Sequence, residues 1–206
     1  MNGARLPRPQ AALLLLTAAG ALFSLIDTPF PHLAPLQNLP TLAIAGGLAL
    51  ALRRWPIPTG AVACICLFLA LHTLGGRYIY SNVPYDAWAR ALGLPAPGDL
   101  FGLRRNSYDR LVHFSFGALM VPPVSAWLAR HGGVRRGLSV YLAVEFVLGA
   151  SAFYEIFEWL LTVVMTGADA DAYNGQQGDM WDAQKDMACA AVGAVCTALW
   201  LTLRRK

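Results

Sequence analysis

The chain has 206 residues, of which 56% are hydrophobic and 14% charged, far from the roughly 25% charge of a soluble domain. That balance excludes an ordinary water-soluble globule and puts the chain in the bilayer. Its net charge of +4 is mostly a topology signal, with no basic patch interleaved with aromatics that would mark nucleic-acid binding.

Charged residues fall in a few short stretches and leave apolar runs near the ~20 helical residues that cross a hydrocarbon core. The pattern predicts an all-α polytopic bundle of about six spans, one integral membrane domain over residues 1–206. Span one covers Ala11 to Ile26. Arg5 and Arg8 ahead of Leu13–Leu16 imitate a secretory signal, but no small-residue cleavage site comes before Asp27, so a retained helix is expected. Span two covers Leu36 to Leu52, with Pro40 suited to a helix start and Gly46-Gly47 to close packing. Span three covers Ile57 to Leu74. The segment from Tyr80 to Ser107 is too long for a turn. Within it, Pro84 to Leu94 fits either a short interfacial helix, with Trp88 and Leu92 toward lipid and Asp86 and Arg90 toward water, or a loop over the bundle mouth. Span four covers Tyr108 to Leu128, where Pro122 and Pro123 predict a kink or an early end. Span five covers Leu138 to Met165, and span six Trp181 to Leu203.

Six spans put both termini on one side. Arg5, Arg8, Arg53, Arg54, Arg130, Arg135, Arg136, Arg204, Arg205 and Lys206 share that side, which the positive-inside rule makes cytoplasmic. Asp27, Asp169, Asp171 and Asp179 lie opposite. Arg77, Arg90, Arg104 and Arg105 break the rule from the loop between spans three and four; a functional need for cations there, or a different span count, would account for them. Cys64, Cys66, Cys189 and Cys196 sit in apolar spans as small hydrophobes, without disulfide or zinc-finger spacing.

Helix direction then gathers the acids. Asp109 and His113, four apart on one face, open span four from the outer side. Glu155 and Glu158 close span five at the same level, ~25 Å along it. Asp179, Asp182 and Asp186 open span six, and His72 ends span three. Carboxylates at membrane depth are costly unless paired, protonated or metal-bound, so three readings stand. A divalent metal (magnesium, manganese, zinc or iron) suits an oxygen-rich set with imidazole. Coupled acids without metal would relay protons or a solute. A purely structural network would use Arg77, Arg105, Arg110 and Lys185 as partners. For an enzyme, the expectation is metal-assisted hydrolysis or transfer on a lipid or lipid-linked phosphate. His113, Glu155, Asp182 and Asp186 would hold the metal, with His72 and Asp179 as further candidates. Asp109 would orient His113, Glu158 would act as base, and Arg105 and Arg110 would hold phosphate. Asn106, Tyr108, Tyr154, Gln176, Gln177, Trp181 and Gln184 would orient these groups or form an aromatic belt. His32 and His131 are expected in water, and Glu145 beside an arginine of the adjacent loop or at a second polar site.

The runs Arg105-Asn106, Tyr108 to Phe114 with Gly117, Ser151 to Glu155 with Glu158-Trp159, and GQQGDMWDAQKDM from Gly175 to Met187 resemble the bacterial inner-membrane family typified by YjdF. His72, Gly75, Tyr78, Tyr80 and Val83-Pro84 fit the same pattern. The resemblance covers nearly the whole chain beyond span one and implies fold and location; the family is a domain of unknown function. A more distant likeness is to VanZ-like membrane proteins, with Arg110 in place of a lysine and Asp186 in place of an asparagine of their pattern.

Overall fold

The computed structural model describes residues 5–165 and 167–204; Arg205, Lys206 and the side chains of Asp169 and Asp171 lie outside the described residues. The helices are α1 Arg8–Ser24, α2 Ala34–Arg54, α3 Thr59–Arg77, α4 Tyr85–Ala91, α5 Pro97–Leu100, α6 Tyr108–His131, α7 Arg136–Val164, α8 Gly167–Asn174 and α9 Asp182–Leu203. Five of them, α2, α3, α6, α7 and α9, are long and apolar enough to cross a membrane. The sixth expected span is α1, whose 17 residues reach ~26 Å at 1.5 Å each. It packs on α2 and α3, where Gln10 donates to the Ile57 carbonyl at 3.0 Å.

The readings of Pro40 as a helix start and of Pro122 and Pro123 as an early helix end are corrected. Helix α2 starts at Ala34, so Pro40 lies inside it. Helix α6 runs on through Pro122 and Pro123 to His131. A proline at 122 cannot donate to the carbonyl four residues back, and the Ala118 carbonyl instead accepts from Thr197 Oγ1 at 3.0 Å. The missing backbone bond is thus replaced by a bond to α9. The segment after α3 does contain the short helix α4, with Trp88 and Leu92 exposed. Asp86 is not simply in water: its carboxylate accepts from the Gly98 N–H at 2.8 Å and so ties α4 to α5.

Helices α6 and α9 form the tightest pair. Both start at the same end of the bundle and run parallel, with α7 returning between them. Gly117 lies against the Ala190 carbonyl, and Gly193 against the Phe114 carbonyl, so closely that a Cβ on either would overlap the facing backbone. Ala190 and Ala194 are fully buried at the crossing. Small residues permit such approach in bilayers, where helix association depends on packing rather than on the hydrophobic effect. Met120, Val121, Val140, Ala143 and Val147 join the two alanines in an apolar core that fills the bundle beyond the crossing.

Gly117→Ala and Gly193→Ala should each lower stability by about 1–3 kcal/mol through overpacking. Gly47→Ala should not, since a methyl group there meets nothing within 4 Å. Thr197→Val should cost about 1 kcal/mol. Reversible unfolding in mixed detergent micelles would measure all four.

Candidate functional site

Parallel packing of α6 and α9 brings their first turns together, and with them Asp109, Arg110 and His113 from one helix and Asp182, Lys185 and Asp186 from the other. Acids in a first turn also complement the positive end of the helix dipole. Two connected parts result.

The first part is an ion-pair network at the bundle rim. Arg110 Nη2 lies 2.6 Å from Asp182 Oδ1 and 3.0 Å from Asp179 Oδ2, and its Nε 2.9 Å from Asp186 Oδ1. Arg105 pairs with the same Asp182 oxygen and donates to the Gln176 carbonyl at 3.0 Å and the Gly175 carbonyl at 3.2 Å. Lys185 Nζ holds Asp179 at 2.6 Å. The loop that supplies these carbonyls turns through left-handed backbone at Gly175, Gln177 and Gly178, which explains its glycines. Gln177 accepts from the Asn106 N–H at 3.0 Å and donates to the Asn106 carbonyl at 2.9 Å. Gln177 therefore locks the loop to the start of α6 instead of pointing at a ligand. Both guanidiniums expected to hold phosphate are turned toward carboxylates and carbonyls.

The second part lies deeper. Asp109, His113 and Asp186 each bring one ligand atom within 4.8 Å of the others. His113 Nε2 stands 3.5 Å from Asp109 Oδ1 and 3.8 Å from Glu155 Oε1, too far for good hydrogen bonds. Ligand atoms around a cation with bonds of about 2.0–2.6 Å stand roughly 3–5 Å apart. Glu155 and Asp186 are 9% and 2% exposed, and Glu155 Oε1 and Asp186 Oδ1 have no hydrogen-bond partner, the Arg110 contact being misaligned for one. Three cations at the rim face six acids overall. Asp179, Asp182 and Asp186 take the cations, so Asp109, Glu155 and Glu158 are left with one imidazole. Glu158 makes no ion pair among the described residues. It is half-buried, one helical turn from Tyr154.

His72 reaches the same level, but both of its nitrogens are engaged. Nε2 lies 3.0 Å from the Gln37 carbonyl and must donate to it, so Nδ1 is the acceptor and the Tyr80 hydroxyl donates to it. Burial raises the Tyr80 phenol well above its usual pKa, which keeps that proton in place. The turn that delivers Tyr80 puts Ile79 and Tyr80 at φ of 45° and 54°, a left-handed backbone that is costly for such residues. Its ring lies over Gly75, where a Cβ would come within 2.6 Å. Gln37 and Tyr173 line a cavity together with His72, Asp109 and His113; a glutamine within an apolar span is the one sequence signal that marks Gln37.

Three of the four external arginines, Arg77, Arg90 and Arg105, have structural partners, while Arg104 is exposed. Arg77 donates to the carbonyls of Ser24, Ile26 and Asp27 at 2.9, 2.6 and 3.1 Å, closing the end of α1. Arg90 pairs with Asp99 at 2.9 Å. Glu145 is exposed on α7 and makes no ion pair among the described residues, which corrects the expected arginine partner. His32 is exposed, whereas His131 reaches the Pro56 carbonyl at 2.9 Å.

A multi-pass helical membrane protein with a buried acid and histidine centre at one end of its bundle is the class these features define. The family model described as predicted membrane protein (DUF2238) matches residues 9–206, and the chain belongs to that family. It is similar to the inner membrane protein YjdF of Escherichia coli strain K12, with 34% identity over 167 residues that cover 81% of this chain and 76% of the relative. No solved structure matches the chain.

Asp179 lies before α9, and its pKa is held below the ordinary carboxylate range, first by Lys185 and then by the Trp181 N–H and Arg110. A depressed pKa adds stability above the unfolded value of about 3.9, which is lost as the pH falls toward the folded one. Asp179→Asn should therefore melt below the parent at neutral pH, and the gap should close in strong acid. Thermal melts across that range would check it.

Proposed function

We propose that the deeper part is a divalent-cation centre, and that the protein is a membrane-embedded hydrolase or transferase acting on a lipid or lipid-linked phosphate. The observation that carries this reading is the convergence of Asp109, His113 and Asp186 beside Glu155, with Glu155 Oε1 and Asp186 Oδ1 buried and without a hydrogen-bond partner. In this reading Asp109, His113 and Asp186 hold the cation and Glu155 completes or approaches the set. Arg105 and Arg110 hold Asp182 and Asp186 in place, as outer partners of metal ligands do. Glu158 accepts a proton from the attacking water or hydroxyl group. A bound cation would supply charge neutralisation at phosphate and a lowered pKa for water.

The positive-inside pattern puts this end of the bundle outside the cytoplasm, with both termini inside, and the likeness to an inner membrane protein supports the bacterial inner membrane as the setting. The apolar core beyond the α6–α9 crossing favours a one-sided site over a carrier, which needs a polar path through the bundle. A purely structural network accounts for Asp179 and Asp182 but leaves Asp109, Glu155 and Glu158 without cations.

Elemental analysis of detergent-purified protein should find about one divalent ion per chain after loading. That ion should be lost in His113→Ala and Asp186→Asn variants that remain folded. An absence of bound manganese, magnesium and zinc in the parent after each is added in excess would overturn the cation reading and leave a proton relay.

A further inference from the structure

The acid and histidine centre is not closed off from the side. A cavity of about 420 Å³ borders it, within the ~300–1,000 Å³ of pockets for small organic ligands. Asp109 and His113 belong to both. From there the cavity extends along α6 to Phe116, about 10 Å deeper at 1.5 Å per residue. Its two flanks are α2 and α7. These helices make no contact with each other: α2 packs only on α1 and α3, and α7 on α6, α8 and α9. Both flanks are membrane-spanning helices, so the gap between them faces lipid, not water.

The gap is apolar at its rim and polar within. Leu36 and Ile44 on α2 and Phe157 on α7 border it and are 52%, 51% and 44% exposed. Two polar side chains in the lining, Gln37 and Ser151, are each 2% exposed. Gln37 Nε2 and Ser151 Oγ have no hydrogen-bond partner, although buried donors of this kind are nearly always satisfied. They come from opposite flanks, and both lack an acceptor.

We infer that this cavity takes a lipid from the bilayer sideways between α2 and α7, with an acyl chain against the apolar wall and an ester or hydroxyl oxygen at Gln37 and Ser151. A glycerolipid has this chemistry. Its apolar tail matches the rim, its ester oxygens supply the missing acceptors, and its head group is carried to the level of Asp109 and His113. This names the substrate class for the proposed function and rests on that reading only for what happens to the head group. Free phosphate or a water-soluble phosphate ester would leave the apolar length of the cavity without an occupant.

The test reconstitutes the full chain in vesicles of phosphatidylethanolamine and phosphatidylglycerol, a fraction carrying a diazirine on the acyl chain, and maps the labelled residues after illumination. Label is expected on inward-facing Val112, Phe116 and Ser151, which lipid around the outside of the bundle cannot reach. Ala150→Trp, which fills the gap, should cut that inner label about tenfold, equivalent to about 1.4 kcal/mol, while label on outward-facing Leu199 and Phe153 stays. Gln37→Leu and Ser151→Ala should weaken the inner label with less bulk added. Label confined to the outer faces, or inner label unchanged by Ala150→Trp in a folded variant, would overturn the inference. The parent protein separates the two readings: inner label with no metal bound after loading keeps the lipid site and overturns the cation centre, whereas metal bound without inner label does the reverse.

Discussion

The close parallel crossing of α6 and α9 is the constraint on which the rest depends. Antiparallel neighbours place the start of one helix beside the end of the other. Parallel neighbours place both starts together, and here each start carries acids and cations. Gly117 and Gly193 allow the approach, and Thr197 fastens it through the carbonyl that Pro122 leaves free. One turn nearer the rim from that crossing, His113 and Asp186 meet. Chain connectivity makes the arrangement possible, since α7 returns across the bundle before α9 begins. The glycines and the prolines are therefore parts of the same device that assembles the site.

Charge at the rim and charge at depth obey different physics. The rim pairs are partly solvated, with arginine side chains 16% and 20% exposed, and there the attraction is offset by desolvation and side-chain ordering. Their main effect is positional. Arg105 and Arg110 draw Asp179, Asp182 and Asp186 to the start of α6, and the loop around Gly175 wraps onto Arg105 and Asn106. Deeper in, Asp109, Glu155 and Glu158 make no ion pair with an arginine or lysine among the described residues. An isolated carboxylate there must be protonated or meet an added cation, because the cost of leaving it charged and bare exceeds what the fold can supply. That asymmetry, more than the number of acids, separates the centre from an ordinary salt-bridge cluster.

Much of this was legible in the sequence because membrane helices are constrained by length and polarity. The long spans and the gathering of the acids and His113 at one end followed from apolar runs and helix direction alone, whereas the expected metal set of His113, Glu155, Asp182 and Asp186 differs from the trio of Asp109, His113 and Asp186 that the structure brings together. Other features needed tertiary structure. Nothing local tells that Pro122 sits in a helix whose lost hydrogen bond is replaced from α9, so the alternative of an early end did not hold. The arginines after α3 looked like functional cations because the charge rule counts them without knowing that Arg77 closes the end of α1. The engagement of both His72 nitrogens depends on a left-handed turn at Ile79 and Tyr80 that no propensity favours.

That turn bears on how the site is kept in shape. Two consecutive non-glycine residues in the left-handed region cost on the order of 1–3 kcal/mol each, and they persist only if the surroundings over-determine them. The surroundings do so here: Ile79 and Tyr80 are almost fully buried, the ring has its place over Gly75, and the hydroxyl donates to His72. His72 in turn fixes the Gln37 carbonyl, and Gln37 is the α2 residue whose amide is left over on the cavity wall. The turn after α3 is thus tied through Tyr80 and His72 to the backbone of Gln37, on the opposite flank from Ser151. A loop free to relax would gain that energy and lose these contacts, so the turn helps hold the α2 and α3 side of the cavity wall in place.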